Sequence, residues 1–192
     1  APFIKIKKLQ FDNINSDLAL IGDKLYIYNL HSDFYKGIFR MDSYMDMDNP
    51  VPPFSININI KDMDIHVFST TSGIVKKEVS GLCDGNIKLK GAIGVTNSLY
   101  GKSYIEIKNA NLWESNIFKG IATALFIPRL KEVIFTDAYG VIQIKNSRFY
   151  TDNFKLVSKE TELSLKGGFG FDDTIDAVVK IRLKKELIQE ST

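Results

Sequence analysis

Apolar and polar residues alternate with a period of two along most of this chain. Phe39, Met41, Met45 and Met47 fall on one side of a segment whose other side carries Arg40, Asp42, Tyr44 and Asp46. Phe54, Ile56, Ile58 and Ile60 alternate with Ser55, Asn57, Asn59 and Lys61. Ile87, Leu89, Ile93 and Val95 oppose Asn86, Lys88 and Lys90, and Ile105 and Ile107 oppose Tyr104, Glu106 and Lys108. Such alternation marks strands with one face toward apolar material and one toward water. Shorter strands are predicted at 4–6, 18–21 and 25–30, with Gly22-Asp23 as a turn, and further strands at 133–135, 141–144, 149–157, 162–169 and 175–183. Asn49-Pro50 and Pro52-Pro53 interrupt the pattern as a loop, because proline has no N–H for a ladder. Residues 63–72 fit either a helical turn or an irregular crossover.

Helical spacing is clear at 115–127. Ile117, Phe118, Ile121, Ala122, Leu125 and Phe126 recur every three or four residues, Ser115 can cap the start and Pro128 ends the run. The chain therefore reads as mainly β: a large curved antiparallel sheet, a β-groove, with one amphipathic helix at about 115–127. A helix of that length is roughly 20 Å long and 10 Å wide, whereas about ten strands at ~4.8 Å spacing span roughly 48 Å. One helix cannot cover such a face. The sheet must curl on itself, pack on further chain, or hold an apolar ligand. The candidate lining is Phe39, Met41, Phe54, Ile56, Ile58, Ile60, Ile87, Leu89, Ile105 and Ile107.

Charge narrows the partners. The 192 residues carry a formal net charge of +2, and no run of Lys or Arg exceeds two residues, so nucleic acid is not an expected partner. The single Cys83 excludes an internal disulfide. The opening Ala1-Pro2 suggests a mature form or a piece of a longer chain. Residues 117–130 are broken by Lys119, Thr123, Pro128 and Arg129, short of the ~20 apolar residues of a membrane span, so any anchor is expected outside this sequence.

No motif carries catalysis or a metal. Gly81-Leu82-Cys83-Asp84-Gly85 imitates a nucleophile elbow, but strand pattern follows it and both histidines, His31 and His66, lie upstream; it reads as a turn between strands, and a hydrolase around Cys83 lacks its base. Asp62, Asp64 and His66 would share one face of a strand, without a fourth ligand, and read as a solvated face. Asp46-Met47-Asp48-Asn49 begins like a calcium loop but Pro50 and Val51 depart from it. Gly167-Gly168-Phe169-Gly170 reads as a bulge or tight bend. Trp113, Tyr104 and Tyr139 are scattered and read as sheet packing.

The succession Gly81, Gly85, Leu89-Lys90-Gly91, Leu99-Tyr100-Gly101 and Tyr104 to Leu112, followed by a helix, resembles the C-terminal region of the AsmA-like family. Tyr139 to Ser147, Leu156-Val157-Ser158, Leu163 to Gly170 and Ile175-Asp176-Ala177 are similar to that family's closing strands. Tyr35 to Arg40 and Ile56 to Met63 resemble its preceding repeat. The resemblance spans nearly the whole chain as one domain, with residues 1–75 as the preceding repeat and 76–187 as the C-terminal-type region. It implies no catalytic residue and no cofactor. It implies a periplasmic module of a Gram-negative-type bacterium, tethered to the inner membrane by an anchor outside this sequence. Such a module would bind or transfer phospholipid or another acyl-chain lipid, possess possible envelope-protein partners, and support outer-membrane lipid homeostasis and assembly. The alternative is a structural or protein-interaction module whose apolar face is filled by protein.

Overall fold

The computed structural model describes residues 3–6, 8–73, 79–111, 134–159, 161–172 and 174–183. The helix expected at 115–127, and Trp113 before it, lie outside the described residues. The described chain is a meander of eleven strands in which each pairs antiparallel with the next. They are β1 (Phe3–Ile6), β2 (Leu9–Ile21), β3 (Lys24–Phe34), β4 (Gly37–Asp46), β5 (Pro53–Asp64), β6 (Ser80–Ala92), β7 (Val95–Asn111), β8 (Asp137–Lys145), β9 (Arg148–Val157), β10 (Thr161–Gly170) and β11 (Ile175–Leu183). The sheet is open: β1 and β11 are its two edges.

Six of the ten pairings contain a register shift. The cause is written into the residues. Asn13, Asn29, Asp62 and Asn109 have φ between 50° and 53°, the left-handed region that Asn and Asp enter most readily among residues with a Cβ. Around them the apolar spacing lengthens from two to three, as in Ile27 to Leu30, Ile60 to Met63 and Ile107 to Ala110. Each insertion of one residue keeps the next apolar side chain on the same face and increases local bend and twist. Gly167 (φ 143°) does the same in β10, as the glycine cluster there suggested, and its partner backbone at Asp176 and Ala177 leaves no space for a Cβ.

Carboxylates on neighbouring strands hold two of these bulges. The Asn29 N–H donates to Asp42 Oδ1 at 2.9 Å, and the Asp62 N–H donates to Asp84 Oδ1 at 2.8 Å. Asp84 also pairs with Lys61, and with Lys108 at 3.9 Å. Partial burial opposes the Asp84 charge, but the Asp62 N–H, Lys61 and Lys108 outweigh it and hold the carboxyl below the usual aspartate range. Asp84→Ala is therefore expected to cost about 0.5–1.5 kcal/mol at neutral pH, the net contribution of a hydrogen bond on a bulge open to water. A depressed folded-state pKa contributes stability above the ordinary range near 4, and that contribution disappears as pH falls through the folded value. Urea denaturation should show the gap between wild type and variant closing as pH falls below the ordinary aspartate range. A gap that is independent of pH would remove Asp84 from this role.

Several sequence expectations change here. Residues 18–21 belong to a longer β2, and Ile87 to Val95 is two strands, because Gly94 (φ 77°) turns the chain between β6 and β7. Of the strand expected at 133–135, Val133 lies outside the described residues and Ile134 and Phe135 are not strand; the next residue, Thr136, bridges β7 and β9, accepting from the Ala110 N–H and donating its own N–H to Val157. Its neighbour Phe135 is only 1 % exposed. Gly81 to Gly85 is not a turn but part of β6, where Cys83 pairs with Met63 and Ile107. Burial first, and the Asp84 charge second, push the Cys83 thiol up to about 11, far from a nucleophile's range.

Residues 65–72 form the helix α1 (Ile65–Ser72). Both of its ends are capped, which favours a helix even though several residues are β-branched. Asp64 caps the start by accepting from the Val67 N–H at 3.0 Å, and Gly73 (φ 61°) closes the end in the left-handed region. Asp62, Asp64 and His66 consequently do not share a strand face: Asp62 sits on a bulge, Asp64 is a cap that also pairs with Lys36 at 3.0 Å, and His66 is exposed on α1. No group of three metal-ligating side chains occurs among the described residues.

The core lies at one end of the strands. Phe11, Phe34, Tyr35, Phe39, Met63, Ile65 and Val79 form its buried cluster. Phe34 is its centre, with ring centroids 4.9 Å from Phe11, 4.6 Å from Tyr35 and 5.6 Å from Phe39. Tyr35 reaches α1 through Phe68 at 5.2 Å. At the opposite end large apolar residues stand in solvent, among them Leu20, Ile21, Val51, Ile93 and Ile175.

Candidate apolar binding face

Register places all ten candidate residues on one face. Phe39 opposes Ile60, which opposes Gly85, then Ile105, then Gly140. One step along the strands, Met41, Ile58, Ile87, Ser103 and Ile142 form the next row. Ser43, Ile56, Leu89, Gly101 and Ile144 form a third, and Met45, Phe54 and Gly91 a fourth. Ile107 lies in the row toward the core, between Cys83 and Ala138. Successive rows are about 7 Å apart. The arrangement follows from alternation within each strand and from pairing register, which carries one strand's apolar face into the next, through the short β6–β7 hairpin and, between β5 and β6, across the α1 crossover.

The ten residues are not equivalent. Phe39 is 8 % exposed and belongs to the aromatic cluster. Met41, Ile58, Ile60 and Ile107 lean against that cluster from its edge. Phe54, Ile56, Ile87, Leu89 and Ile105 are half-buried and lie outside it. The face thus grades from packed core to a half-open apolar surface along the strands. Small residues interrupt the aliphatic rows at Ser43, Gly85, Ser103, Gly101 and Gly140 and lower the surface between taller neighbours. Two of these gaps are constrained by packing, since a Cβ on Gly101 would strike Lys88 O and one on Gly140 would lie 2.8 Å from Phe154 Cα. Gly85 has ordinary room, with Ile60 Cβ at 3.9 Å.

Residues missed at the level of sequence extend the face on the far side. Ala138, Ile142, Ile144, Phe154, Leu156, Leu163 and Leu165 continue it through β8, β9 and β10. Their alternation was readable, but which face each strand contributed depended on register. Ser103 is a further surprise: it is 7 % exposed in the middle of the face, and its hydroxyl has no hydrogen-bond partner among the described residues.

The opposite face is polar, with Arg40, Asp42, Asn57, Asn59, Asn86, Lys88, Lys102 and Gln143 at the alternate positions. No helix among the described residues is long and apolar enough to cross a membrane. The fold and this face define an open antiparallel sheet with one apolar and one polar side. No family model, curated protein or solved structure matches the chain.

Proposed function

We propose that this chain is a non-enzymatic lipid-binding or lipid-transfer module that holds acyl chains on its apolar face. The observation that carries the reading is the gradient on that face. Nine of the ten candidate residues are half-buried, not packed away, although register gathers them into continuous apolar rows. A contiguous apolar surface left partly open to solvent is a binding feature. Burial of a lipid tail contributes roughly 0.8 kcal/mol per methylene without directional bonds, which permits sliding and tolerates different head groups. Such a task requires neither catalysis nor a cofactor. The resemblance to the AsmA-like family supports a periplasmic site tethered to the inner membrane, with a role in outer-membrane lipid homeostasis and assembly.

Organic extraction of the purified protein followed by mass spectrometry tests this. The wild type should release phospholipid or another acyl-chain lipid, and Ile105→Asp should release much less, because it sets a charge between the low positions Gly85 and Gly140. Ile58→Asp should act in the same direction from the neighbouring row, after circular dichroism has shown that both variants fold. A folded wild type that carries no lipid and takes up no fluorescent phospholipid would leave the face as a structural wall or protein-interaction surface.

A further inference from the structure

The polar side of β6 to β9 gathers four lysines with no carboxylate opposite them. Lys88 and Lys102 face each other directly across β6 and β7, an arrangement of like charges that destabilises a sheet. Lys90 and Lys145 lie beside them, and the four, with Tyr100 and Gln143, line one shallow depression of about 340 Å³. All four lysines are exposed, and none forms an ion pair among the described residues. Toward the α1 end of the sheet the pattern is opposite: Lys61 on β5 and Lys108 on β7 are neutralised by Asp84 and Glu106. The strand-crossing positions next to Lys88 and Lys102 are Asn57 and Gln143, so no neighbour relieves the repulsion.

Exposed tyrosines are interleaved with these cations. Tyr100, Tyr104 and Tyr150 are 54 %, 43 % and 41 % exposed, and pairing with Lys90, Asn86 and Gln143 puts them on this same face. Ile93, 49 % exposed, stands at the tip of the β6–β7 hairpin beyond Lys90. We propose that this lysine and tyrosine face docks on an anionic lipid surface, with the ammonium groups against phosphate and the tyrosine rings at headgroup level. Charge complementarity favours that occupant. Lysines, point charges suited to a layer of phosphates, outnumber arginine here: Arg148 stands across from Lys145, and its planar fork, the group that most often grips nucleic acid, is engaged over the Tyr150 ring at 5.8 Å and with Thr174 Oγ1 at 2.8 Å. Ile93 adds an aliphatic contact that a phosphodiester backbone would not reward. The surface is confined to the third and fourth long hairpins, because Asp23, Asp46 and Asp48 occupy the tips of the first two.

This docking is separate from acyl-chain binding on the opposite face, and its test reads a different property. Co-sedimentation should be measured with vesicles of equal parts phosphatidylglycerol and phosphatidylcholine, and with phosphatidylcholine alone. The full chain should bind the anionic vesicles at low ionic strength, release as salt rises, and ignore the neutral ones. Each lysine removed should weaken binding roughly fivefold, so Lys88→Gln with Lys102→Gln should lose roughly twenty-fivefold. That pair should keep or raise the melting midpoint, since it removes a repulsion, which separates lost docking from lost folding. Lys90→Gln with Lys145→Gln provides an independent second pair. Lys8→Gln with Lys159→Gln removes the same charge at the other end of the strands and should retain most binding. The proposal is overturned by absent binding to anionic vesicles, equal binding to neutral ones, wild-type binding by both patch pairs, or an equal loss in the control pair. Tighter binding to a single-stranded oligonucleotide at matched salt would also overturn it, in favour of nucleic acid. Vesicle docking by a protein that yields no extractable lipid would uphold this proposal while removing the acyl-chain reading.

Discussion

Phe34→Ala is expected to destabilise the protein by about 3–5 kcal/mol, the range for removing a buried aromatic ring. Phe34 is 4 % exposed and touches rings on three sides, from β2, from the β3–β4 turn and from β4. The neighbours cannot all collapse into the space, because Phe11 and Phe39 also hold each other at 5.1 Å and Tyr35 is tied to Gln10 by its hydroxyl. At ~2–4 °C per kcal/mol for a chain of this size, the melting midpoint should fall by roughly 10 °C. Phe149→Ala, at the exposed end, should fall far less, since its ring is 38 % exposed. Equal losses in the two variants would mean that stability is spread evenly along the strands and does not reside at the α1 end.

Gly37→Ala should cost about 1–3 kcal/mol or more, by overpacking. Gly37 opens β4 beneath the Asp62 bulge of β5, and a Cβ there would meet Lys61 O, with Met63 N at 2.6 Å and Asp62 C at 2.7 Å. These are backbone atoms of a central strand, so no rotamer change relieves the contact. The strand must move, and with it the Asp64 N–H that donates to Tyr35 O at 2.9 Å. Chemical denaturation would measure the loss. A stability unchanged by Gly37→Ala would show that β4 and β5 are farther apart at this point than their pairing requires. By contrast, alanine at Gly85 should be nearly neutral, because ordinary contact distances surround it.

Strand identity was legible because a strand declares itself locally: every second residue meets the same surroundings. Ile56, Ile58 and Ile60 therefore announced both their element and their shared face, and antiparallel register then matched that face to β4 and β6. The bulges were legible too, although period-two reading passes over them. Asn29, Asp62 and Asn109 each stand inside an apolar step of three instead of two, which is the mark of an extra residue in the left-handed region. Helix α1 was half visible: Asp64 and Gly73 are suitable caps, but Ile65, Val67, Thr70 and Thr71 favour strand by propensity, and tertiary packing of Ile65 and Phe68 decided the matter.

What the amino-acid sequence determined by itself was the alternation that makes strands and gives them one apolar side, since that depends only on near neighbours. The tertiary structure alone decided which apolar residues are core and which are open surface. Phe39 and Ile56 alternate alike, yet one is enclosed by Phe11 and Phe34 while the other has no aromatic cluster beside it. It also decided that Lys88, Lys102 and Lys145, distant along the chain, share one depression. Cross-strand neighbours are set by register, and register here is reset wherever a bulge adds a residue, so proximity across the sheet is a sum over every turn and bulge between two positions.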